Sequence, residues 1–531
     1  MQGVRVVSPN AARSQRVSKS ALRGAGGIVV AQNHGAAQVG AAVLRRGGNA
    51  VDAAVATSFA VGVLEPWMSG IGGVGGLVMR QADGTTLAID AGARAPGGLR
   101  VEDFRQVAGS DADLFGWPNV EGQRNTTGAA AVGVPALVAG LAQAHRQCGS
   151  LPWRDLLAPS VELARDGVFV DPHATWHIAT EMARLNSDPG SRAWFLPNGV
   201  PPTTPMAVTG RTVRLPAPTL AATLARIAEQ GAEVLYQGEL ARRLAADVRA
   251  AGGYLSEDDL RQCAPRAGAT LRATYRGGVL HALPELNGAI TVAMAMRACE
   301  AAYRPGGPAP DADTLLAYAD ALLTAWQHRF ERLGDGGDRA LPSCTTHISV
   351  VDRAGNTVAL TQTLLSTFGA CFISPSTGIL LNNGINWFDP RPGRPNSLMP
   401  GARALANYAP AIFETDDDVI AIGGSGGRKI IPAVFQTLAR LRDFGGELAD
   451  AIAAPRLDVS APPLVVADER LPDAVVAALA ARHRLVLAPR QGVPSHFALL
   501  GAVRRRSGIN EGGCDPYHPW ADAVGEDEPA D

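Results

Sequence analysis

The stretch SCTTHISVVDRAGNTVALTQT, from Ser343 to Thr363, decides how the rest of the sequence is interpreted. Polar and apolar residues alternate along its first half, which predicts a half-buried strand. The segment DRAGN predicts a turn, and TVALTQT predicts the return strand of a β-hairpin. The preceding segment, ERLGDGGDRALPSC, is charged, rich in glycine and broken by proline, so it predicts a loop. A loop therefore leads directly into a strand that opens with Thr345, Thr346 and His347.

Chemistry allows two interpretations of Thr345. Threonine is a frequent strand residue, so the Thr345–Thr346 pair can be purely structural. Alternatively, the chain is cut between Cys344 and Thr345, which gives one residue both a hydroxyl nucleophile and a free α-amine. An α-amine has a pKa near ~7.7 and can accept the hydroxyl proton without a separate histidine. The second interpretation explains why a loop joins a polar strand start, and the residues alone leave both open.

The composition excludes several classes of partner. The chain has 531 residues, a formal net charge of −2 and 18% charged residues, so nothing in its charge favours nucleic acid or a membrane surface. The N-terminus lacks an apolar signal core and no apolar run reaches the ~18 residues of a membrane span, which predicts a cytoplasmic protein. The six cysteines are scattered without a CxxC pair, which predicts free thiols and no structural zinc.

The order of elements predicts a helix-rich part before Thr345 and a strand-rich part after it. The segment from Asn49 to Leu64 is apolar on nearly every face, which predicts a buried helix. In IAIGGSGGRKIIPAVF, a strand is predicted to end at Gly423 and a helix to begin near Ile430. The glycines between them can direct backbone N–H groups at a developing oxyanion, or they can form a plain strand-to-helix turn.

A second glycine motif is interpreted as packing. Gly70, Gly72 and Gly75 satisfy GxGxxG, but the motif follows a helix, whereas a dinucleotide site needs a strand before it. Close approach of backbone segments is the favoured interpretation. The segment GGSGGRK also lacks the Lys-Ser/Thr ending of a phosphate-binding loop.

Five motifs together resemble the gamma-glutamyltransferase family of N-terminal nucleophile hydrolases: GGNAVDAAVA, AIDAGARAP, TTHISVVDRAGNTVALTQTL, FGACFISPSTGILLNN and GGSGGRKIIPAVFQ. The resemblance implies an α/β fold, a four-layer αββα sandwich. It also implies a proenzyme that cleaves itself into a large subunit, residues 1–344, and a small subunit, residues 345–531, intertwined as one domain. A dimer of such heterodimers is an option that the sequence leaves open.

The resemblance also implies catalytic roles. Thr345 would be the nucleophile, Thr363 would orient it by a hydrogen bond, and Gly426 with Gly427 would form the oxyanion hole. Since the nucleophile supplies its own base, no metal and no organic cofactor is expected.

The positions that bind the glutamyl head depart from the family pattern. The expected arginine, asparagine, glutamine, aspartate and serine pair are replaced, in that order, by Gly92, Leu365, Gly384, Trp387, and Ala406 with Asn407. A site that pairs buried polar groups discriminates strongly, so their loss predicts a loss of preference for the glutamyl head. The remaining candidates for substrate binding are Arg94, Asn383, Trp387 and Asn407; Trp387 and Arg94 can equally be a core residue and a surface ion pair.

These observations predict an autoprocessing amidohydrolase for a small amide, oxamate-like or of another non-glutamyl acid, acting through an acyl-enzyme. The alternatives are a gamma-glutamyl hydrolase or transpeptidase acting on glutathione, and a noncatalytic binding relative. The partners expected are a small-molecule amide and the two subunits of one precursor, with neither nucleic acid nor membrane.

Overall fold

The computed structural model describes residues 4–5, 17–110, 117–204, 212–333, 344–492 and 495–528. The strands are β1 Val4–Arg5, β2 Leu22–Gly24, β3 Ile28–Ala31, β4 Val74–Arg80, β5 Thr86–Ala91, β6 Gln106–Ser110, β7 Pro118–Val120, β8 Val168–Phe169, β9 Arg214–Leu215, β10 Arg266–Gly268, β11 Leu271–Tyr275, β12 Gly278–Ala282, β13 Cys344–Val351, β14 Thr357–Leu365, β15 Ala411–Glu414, β16 Asp418–Ser425, β17 Leu457–Ala461, β18 Leu464–Asp468, β19 Arg484–Ala488, β20 Leu499–Arg506, β21 Ile509–Cys514 and β22 Asp522–Gly525.

The helices alternate with these strands in the first part of the chain and are fewer in the second. They are α1 His34–Arg45, α2 Ala50–Leu64, α3 Leu137–Cys148, α4 Trp153–Asp166, α5 Pro172–Thr180, α6 Met182–Leu185, α7 Pro189–Phe195, α8 Pro218–Gln230, α9 Glu239–Ala250, α10 Glu257–Arg261, α11 Ala289–Ala302, α12 Ala312–His328, α13 Ile430–Phe444, α14 Leu448–Ala453 and α15 Asp473–Arg482.

Two seven-stranded antiparallel sheets form the centre of the fold. The first sheet has the order β10-β5-β4-β14-β13-β3-β22, and the second has the order β11-β12-β15-β16-β20-β21-β2. The sheets pack face to face through β13 and β14 on one side and β16 and β20 on the other. Helices α1, α2 and α3 cover the first sheet, and α11, α13 and α14 cover the second. This is the predicted αββα sandwich, and the fold class is confirmed.

The hairpin at the centre of the first sheet is the one that the sequence predicts. β13 and β14 pair from Val351 opposite Thr357 to Thr346 opposite Gln362, and residues 352–356 form the turn. Every residue of β14 is buried, because β4 and β13 flank it and helix α2 covers it. The charged segment that precedes β13, residues 334–343, lies outside the described residues.

Helix α2 confirms the predicted buried helix. Asn49 caps its N-terminus: the Asn49 side chain accepts hydrogen bonds from the N–H groups of Val51 and Asp52, at 2.9 and 3.1 Å. All residues from Ala50 to Val63 are buried. A helix that is apolar all round must have neighbours on every face, and α2 has α1, α4 and the first sheet around it.

The glycine motif of Gly70, Gly72 and Gly75 serves close packing, as the sequence predicts. A Cβ atom at Gly72 would lie 2.2 Å from the carbonyl oxygen of Leu380, and one at Gly75 would lie 2.5 Å from that of Thr361. No side chain fits at either distance.

One predicted boundary is wrong. β16 does not end at Gly423 but continues to Ser425, because Gly424 and Ser425 still pair with Leu500 and Leu499 of β20. Glycine weakens a strand, but pairing with a neighbour overrides that weak preference. The helix start at Ile430 is confirmed.

Both sheets draw strands from both sides of Thr345. The first sheet places β13, β14 and β22 among strands from the earlier part of the chain, and the second sheet has β2, β11 and β12 at its two edges. A cut before Thr345 would therefore leave two chains whose strands still interleave.

Gly423 generates the first testable prediction. A Cβ at this position would lie 2.4 Å from Nδ1 of His347, which packs across the two sheets. We expect Gly423→Ala to lower the free energy of unfolding by about 1–3 kcal/mol, the usual cost of overpacking a core. Urea-induced unfolding measures this, with Gly268→Ala as the control, since no atom lies within 4 Å of a Cβ at Gly268. Equal stability of both variants would contradict the prediction.

Candidate active site

Thr345 lies at a break in the register of the central hairpin. Cys344 pairs with Leu365 and Thr346 pairs with Gln362, so two residues, Thr363 and Leu364, face the single residue Thr345. A bulge of this kind bends the strand and redirects a side chain, and bulges are frequent next to active sites. The structure thus brings Thr345 and Thr363 together, as the sequence predicts. Both are buried, with Thr345 3% exposed and Thr363 0%.

Contacts across the sheets locate Thr345 relative to the glycine turn. Ser349 Oγ donates to the carbonyl oxygen of Ala421 at 3.2 Å, and two residues earlier His347 lies against Gly423. Alternate residues of a strand share a face, so continued alternation of β13 would place Thr345 opposite Ser425. After Ser425 the chain turns through Gly426 and Gly427.

The glycine turn connects β16 to α13. Gly426 has φ +127° and Gly427 has φ +60°, backbone conformations that favour glycine. A Cβ at Gly426 would also lie 3.0 Å from the Cα of Ala498, so backbone crowding excludes a side chain there. Helix α13 begins at Ile430, only three residues after the pair. The turn therefore offers backbone N–H groups near a helix N-terminus, the arrangement suited to an oxyanion.

Thr363 and the residues after it have a constrained backbone. The Thr363 Oγ1 accepts a hydrogen bond from the N–H of Leu365 at 2.8 Å. Leu365 has φ +83°, which is uncommon for a residue with a side chain. Such conformations persist only where the surroundings impose them, and they cluster at active sites and ligand clamps.

Asn383 holds the chain that leaves β14. Its Oδ1 accepts from the N–H of Ser366 at 3.0 Å, and its Nδ2 donates to Ser366 Oγ at 2.8 Å and to the carbonyl oxygen of Thr126 at 3.0 Å. These bonds use both ends of the amide. They give Asn383 a positioning role, while direct binding of substrate by Asn383 stays a prediction.

Three basic side chains are buried beside the glycine turn. Arg428 and Lys429 follow Gly427 directly, and Arg329 is the first residue after α12. Burial and the charge of Arg428 lower the pKa of Arg329 to about 9, and burial lowers the pKa of Lys429. Lys429 Nζ donates to the carbonyl oxygen of Ser495 at 2.7 Å. The positive potential of these groups favours negative charge at the turn.

Arg329 is tied to Asn407, one of the predicted substrate-binding residues. The Arg329 guanidinium donates to Asn407 Oδ1 at 2.9 Å and to the carbonyl oxygen of Ala406 at 2.8 Å. Asn407 is buried, and its Nδ2 has no hydrogen-bond partner in the part of the chain that the structure describes.

Apolar side chains occupy the positions where the family pattern has polar head-group contacts. Leu365, Trp387 and Ala406 belong to one buried hydrophobic cluster between the sheets, together with Tyr408. The rings of Trp387 and Tyr408 lie edge to face with their centroids 6.0 Å apart. A Cβ at Gly92 would lie 2.9 Å from the Tyr408 hydroxyl oxygen. These positions are thus closely packed with side chains.

Arg94 lies three residues beyond the end of β5 and pairs with Arg403 in an isolated antiparallel bridge. Its Nε donates to the carbonyl oxygen of Gly401 at 3.0 Å, and it lines a cavity of about 270 Å³ with Cys263 and Arg403. Contact of Arg94 with a substrate anion stays a prediction.

One cluster has the residue types of a metal site. Ligand atoms of Glu65, His173 and His518 lie within 4.8 Å of one another. However, the Nδ1 of His518 accepts hydrogen bonds from the N–H groups of Trp520 and Ala521, at 3.3 and 3.1 Å. A neutral imidazole of this kind carries its proton on Nε2, the atom that faces Glu65 at 3.9 Å. This tautomer opposes metal binding, and burial raises the pKa of Glu65, so we assign no metal to the cluster.

Sequence reasoning missed several residues at the site. Trp117, Arg329 and Asn386 are buried near the glycine turn or the end of β14, and none belongs to a motif with a recognised spacing. The only sequence signal for Asn386 is its position in NNGINWF, beside Trp387.

No helix among the described residues is long and apolar enough to cross a membrane.

The four-layer sandwich, with its central hairpin facing a glycine turn, is the architecture of the N-terminal nucleophile hydrolases. The cephalosporin acylase from Bacillus halodurans has the same fold, with a TM-score of 0.83 over 98% of this chain and 99% of that chain, at 23% identity.

The chain belongs to the gamma-glutamyltranspeptidase family, which matches residues 36–344 and 338–524. The "Acylase ACY 1 proenzyme" of Pseudomonas sp. (strain V22) is 34% identical over 512 residues, covering 89% of each chain. The "Glutathione hydrolase proenzyme" of Escherichia coli (strain K12) is 30% identical over 486 residues, covering 82% of this chain and 81% of that one. The protein is thus an enzyme of this family, and both of these relatives are named as proenzymes.

His347 generates a prediction about acid stability. Its ring nitrogens lie 2.8 Å from the hydroxyls of Thr361 and Ser349, and burial lowers its pKa from 6.5 to about 3. Between these values the unfolded chain binds a proton that the folded chain does not. Stability is therefore lost as pH falls below 6.5, by about 1.4 kcal/mol per pH unit from this residue.

The measurement is urea-induced unfolding between pH 7 and pH 5, compared with His347→Gln. Both proteins carry Thr345→Ala, which removes the hydroxyl that the predicted cut before Thr345 requires. We expect the unfolding free energy to depend less steeply on pH in the His347→Gln variant. The slope should be smaller by about 1.4 kcal/mol per pH unit, which corresponds to one bound proton. An unchanged slope would show that His347 does not titrate in this way.

Proposed function

We propose that the chain is a proenzyme that cleaves itself between Cys344 and Thr345, and that Thr345 then hydrolyses the amide bond of a non-glutamyl acyl compound. The observation that carries the proposal is the position of Thr345. It lies at the start of a buried central strand and faces Thr363 across a bulge, and we infer from the alternation of β13 that it lies next to the glycine turn.

The reaction is derived from these positions. The Oγ of Thr345 attacks the amide carbonyl carbon, and the α-amine of Thr345 takes the hydroxyl proton. The backbone N–H groups of Gly426 and Gly427 stabilise the tetrahedral oxyanion, and Thr363 orients the nucleophile. The C–N bond then breaks, the α-ammonium gives its proton to the leaving amine, and an ester to Thr345 remains. Water, deprotonated by the same amine, cleaves the ester and releases the acid.

The apolar cluster of Leu365, Trp387, Ala406 and Tyr408 supports a non-glutamyl substrate. An α-amino acid head carries two charges, and burying a charge without partners is costly. Homology supports the same choice, since the acylase of Pseudomonas is more similar to this chain than the glutathione hydrolase of Escherichia coli. Oxamate is the shortest acid amide to test. Action on glutathione is the alternative, favoured by the second of these relatives.

Self-cleavage is tested by Thr345→Ala. We expect the variant to stay one chain and to have no amidase activity, because it lacks the nucleophile of both reactions. Thr346→Ala is the matched control: Thr346 is fully buried, and its Oγ1 has no partner among the described residues. Denaturing electrophoresis with N-terminal sequencing should find Thr345 at the start of the small fragment in the wild type and in the control. An active wild type that is a single uncut chain would contradict the proposal.

Substrate preference is tested by the ratio of kcat/KM for a γ-glutamyl anilide to that for a non-glutamyl acid amide such as oxamate. Each lost hydrogen bond to a charged group is worth about 1.5–3 kcal/mol, and about 1.4 kcal/mol is tenfold in rate. With two or more bonds lost, we expect the glutamyl compound to be the poorer substrate by about a hundredfold or more. A wide margin in its favour would refute the loss of the head-group site.

Arg94→Ala in the same assay decides the role of Arg94. If Arg94 meets an anionic substrate end, the variant lowers kcat/KM for oxamate and leaves that for a neutral amide unchanged. If both values are unchanged, Arg94 only supports the loop around Gly401.

A further inference from the structure

A buried glutamine reaches from the first sheet to the residue that precedes the glycine turn. Gln32 comes directly after β3 and is 3% exposed, and its Nε2 donates a hydrogen bond to Ser425 Oγ at 2.5 Å. Ser425 is the last residue of β16, and Gly426 follows it. Gln32 therefore spans the two sheets at the level where β16 ends and the glycine turn begins.

The register of β3 places Gln32 beside the start of β13. Ile348 of β13 pairs with Ala31, the last residue of β3. One further antiparallel step would place Gln32 opposite His347. Thr345 would then be a diagonal neighbour of Gln32, two residues farther along β13. Diagonal neighbours in a sheet lie about 7–8 Å apart, within reach of a long side chain.

The contacts of β3 show which face Gln32 shares. Val30, two residues before Gln32, pairs with Ser349. The Ser349 hydroxyl reaches the carbonyl oxygen of Ala421 in the second sheet. A Cβ at Gly501, also in the second sheet, would lie 3.2 Å from a methyl carbon of Val30. Alternate residues of a strand share a face, so Gln32 points toward the second sheet, in agreement with its bond to β16.

The other end of the Gln32 amide has an unused acceptor. Its Oε1 is buried and accepts no hydrogen bond from any of the described residues. Buried acceptors without a partner are rare in folded proteins, because they cost free energy. The structure is that of the uncut chain, in which β13 is continuous from Cys344 to Val351. A donor that only the cut chain possesses would satisfy this oxygen.

The predicted cut before Thr345 would create such a donor. In the uncut chain residue 345 contributes a single backbone N–H, whereas a free α-ammonium group carries three N–H donors. In the proposed reaction the α-amine takes the hydroxyl proton, so the ammonium form has to be stabilised inside the fold. A hydrogen bond from a charged donor is roughly twice as strong as a neutral one, and an amide oxygen can accept it.

We propose that Gln32 is a positioning residue for Thr345: its Oε1 accepts a hydrogen bond from the Thr345 α-ammonium, while its Nε2 holds Ser425 beside the glycine turn. This inference rests on the proposed function, since it requires the cut before Thr345. One side chain then connects the base of the reaction to the strand end that leads into the oxyanion turn. The bond strengthens when the amine takes the hydroxyl proton and weakens when that proton passes to the leaving amine.

Other charges near this position affect all variants alike. Strands β3 and β14 contain no titratable residue, and the charged residues of β16, β20 and α2 lie toward the opposite end of β13. Burial keeps His347 neutral in the working range by lowering its pKa to about 3. The remaining titratable groups of the adjoining segments are Arg428, Lys429, Arg329, His496 and His34. The cations among them oppose an ammonium group, and an acceptor oxygen offsets part of that repulsion.

The experiment measures the pKa of the Thr345 α-amine in the self-cleaved enzyme. Trace arylation with 1-fluoro-2,4-dinitrobenzene between about pH 5 and pH 10 labels only the unprotonated amine. Mass spectrometry of the N-terminal peptide of the small subunit, relative to a standard amine in the same mixture, gives the midpoint. An acceptor that stabilises the ammonium raises this pKa. We expect Gln32→Met to lower the midpoint by about 1 pH unit or more, the value of one hydrogen bond to a charged group.

Gln32→Glu is the conservative variant. It keeps one oxygen for the ammonium and another for the Ser425 hydroxyl, and its negative charge stabilises the ammonium more than an amide does. We expect its midpoint to be about 1 pH unit above that of the wild type. General disturbance of the core would not move the midpoints of Gln32→Met and Gln32→Glu in opposite directions.

Ser425→Ala is the matched control. It removes the bond between Gln32 and β16 but leaves Oε1 in place, so we expect the wild-type midpoint. If Ser425→Ala lowers the midpoint as Gln32→Met does, the effect comes from the glycine turn and the assignment to Oε1 is overturned. A higher midpoint in Gln32→Met would also overturn it, because the amide would then direct Nε2 at Thr345.

The same samples separate this proposal from the proposed function. Denaturing electrophoresis shows whether the chain is cut, and an uncut wild type would overturn both. In a cut enzyme, equal midpoints for the wild type, Gln32→Met and Gln32→Glu would overturn the role of Gln32 alone. If Gln32→Met stays uncut, the comparison of Gln32→Glu with the wild type decides. Ordered midpoints in an enzyme that hydrolyses no amide would support the role of Gln32 and refute the proposed amidase.

Discussion

The packing of β13 on β16 is the constraint on which the rest of the structure depends. Ser349 and His347 share one face of β13, and they meet Ala421 and Gly423 of β16 across the sheets. The imidazole of His347 is accommodated only because residue 423 has no side chain. This one register sets the distance between the proposed nucleophile and the glycine turn. A slip by one residue would turn Thr345 to the other face of its sheet.

The buried charges are a consequence of the same arrangement. Arg329, Arg428 and Lys429 converge on the glycine turn, and the Arg329 guanidinium donates to neutral acceptors: the carbonyl oxygens of Ala406 and Asn287, and side-chain oxygens. Burying such cations costs free energy. Their positive potential would stabilise an oxyanion at the turn. This stabilisation would lower part of the barrier to acyl transfer.

Short sequence patterns predict single helices, strands and turns. The ends of strands and the partners of buried side chains depend on tertiary contacts, which such patterns do not contain. The β13–β14 hairpin, helix α2 and the start of α13 depend on alternation, capping and glycine spacing, and the structure contains all three. The threonine and glycine pairs of the site can likewise be identified from motifs. The predicted strand end at Gly423 is wrong because the pairing of Ser425 with β20 is a tertiary contact. Asn386 cannot be identified from the sequence, because the side chain that donates a hydrogen bond to it belongs to Asn125, which is distant in the chain. Arg94 is predicted from its sequence distance to a motif, and its contact with Gly401 cannot be predicted in that way, because the two residues are 307 positions apart in the chain.

The residues at the head-group positions depend on one another. Leu365, Trp387 and Ala406 pack in one cluster with Tyr408, so each apolar side chain is stabilised by the others. A single polar residue introduced there would be buried without partners, at a cost of about 1–3 kcal/mol, and would gain no substrate contact until the other positions also changed. A polar head-group site is interdependent in the same way, because each of its groups needs the others or the substrate as a partner. Specificity at this end of the sandwich therefore changes by concerted replacement of the cluster, whereas the threonine pair and the glycine turn can remain as they are.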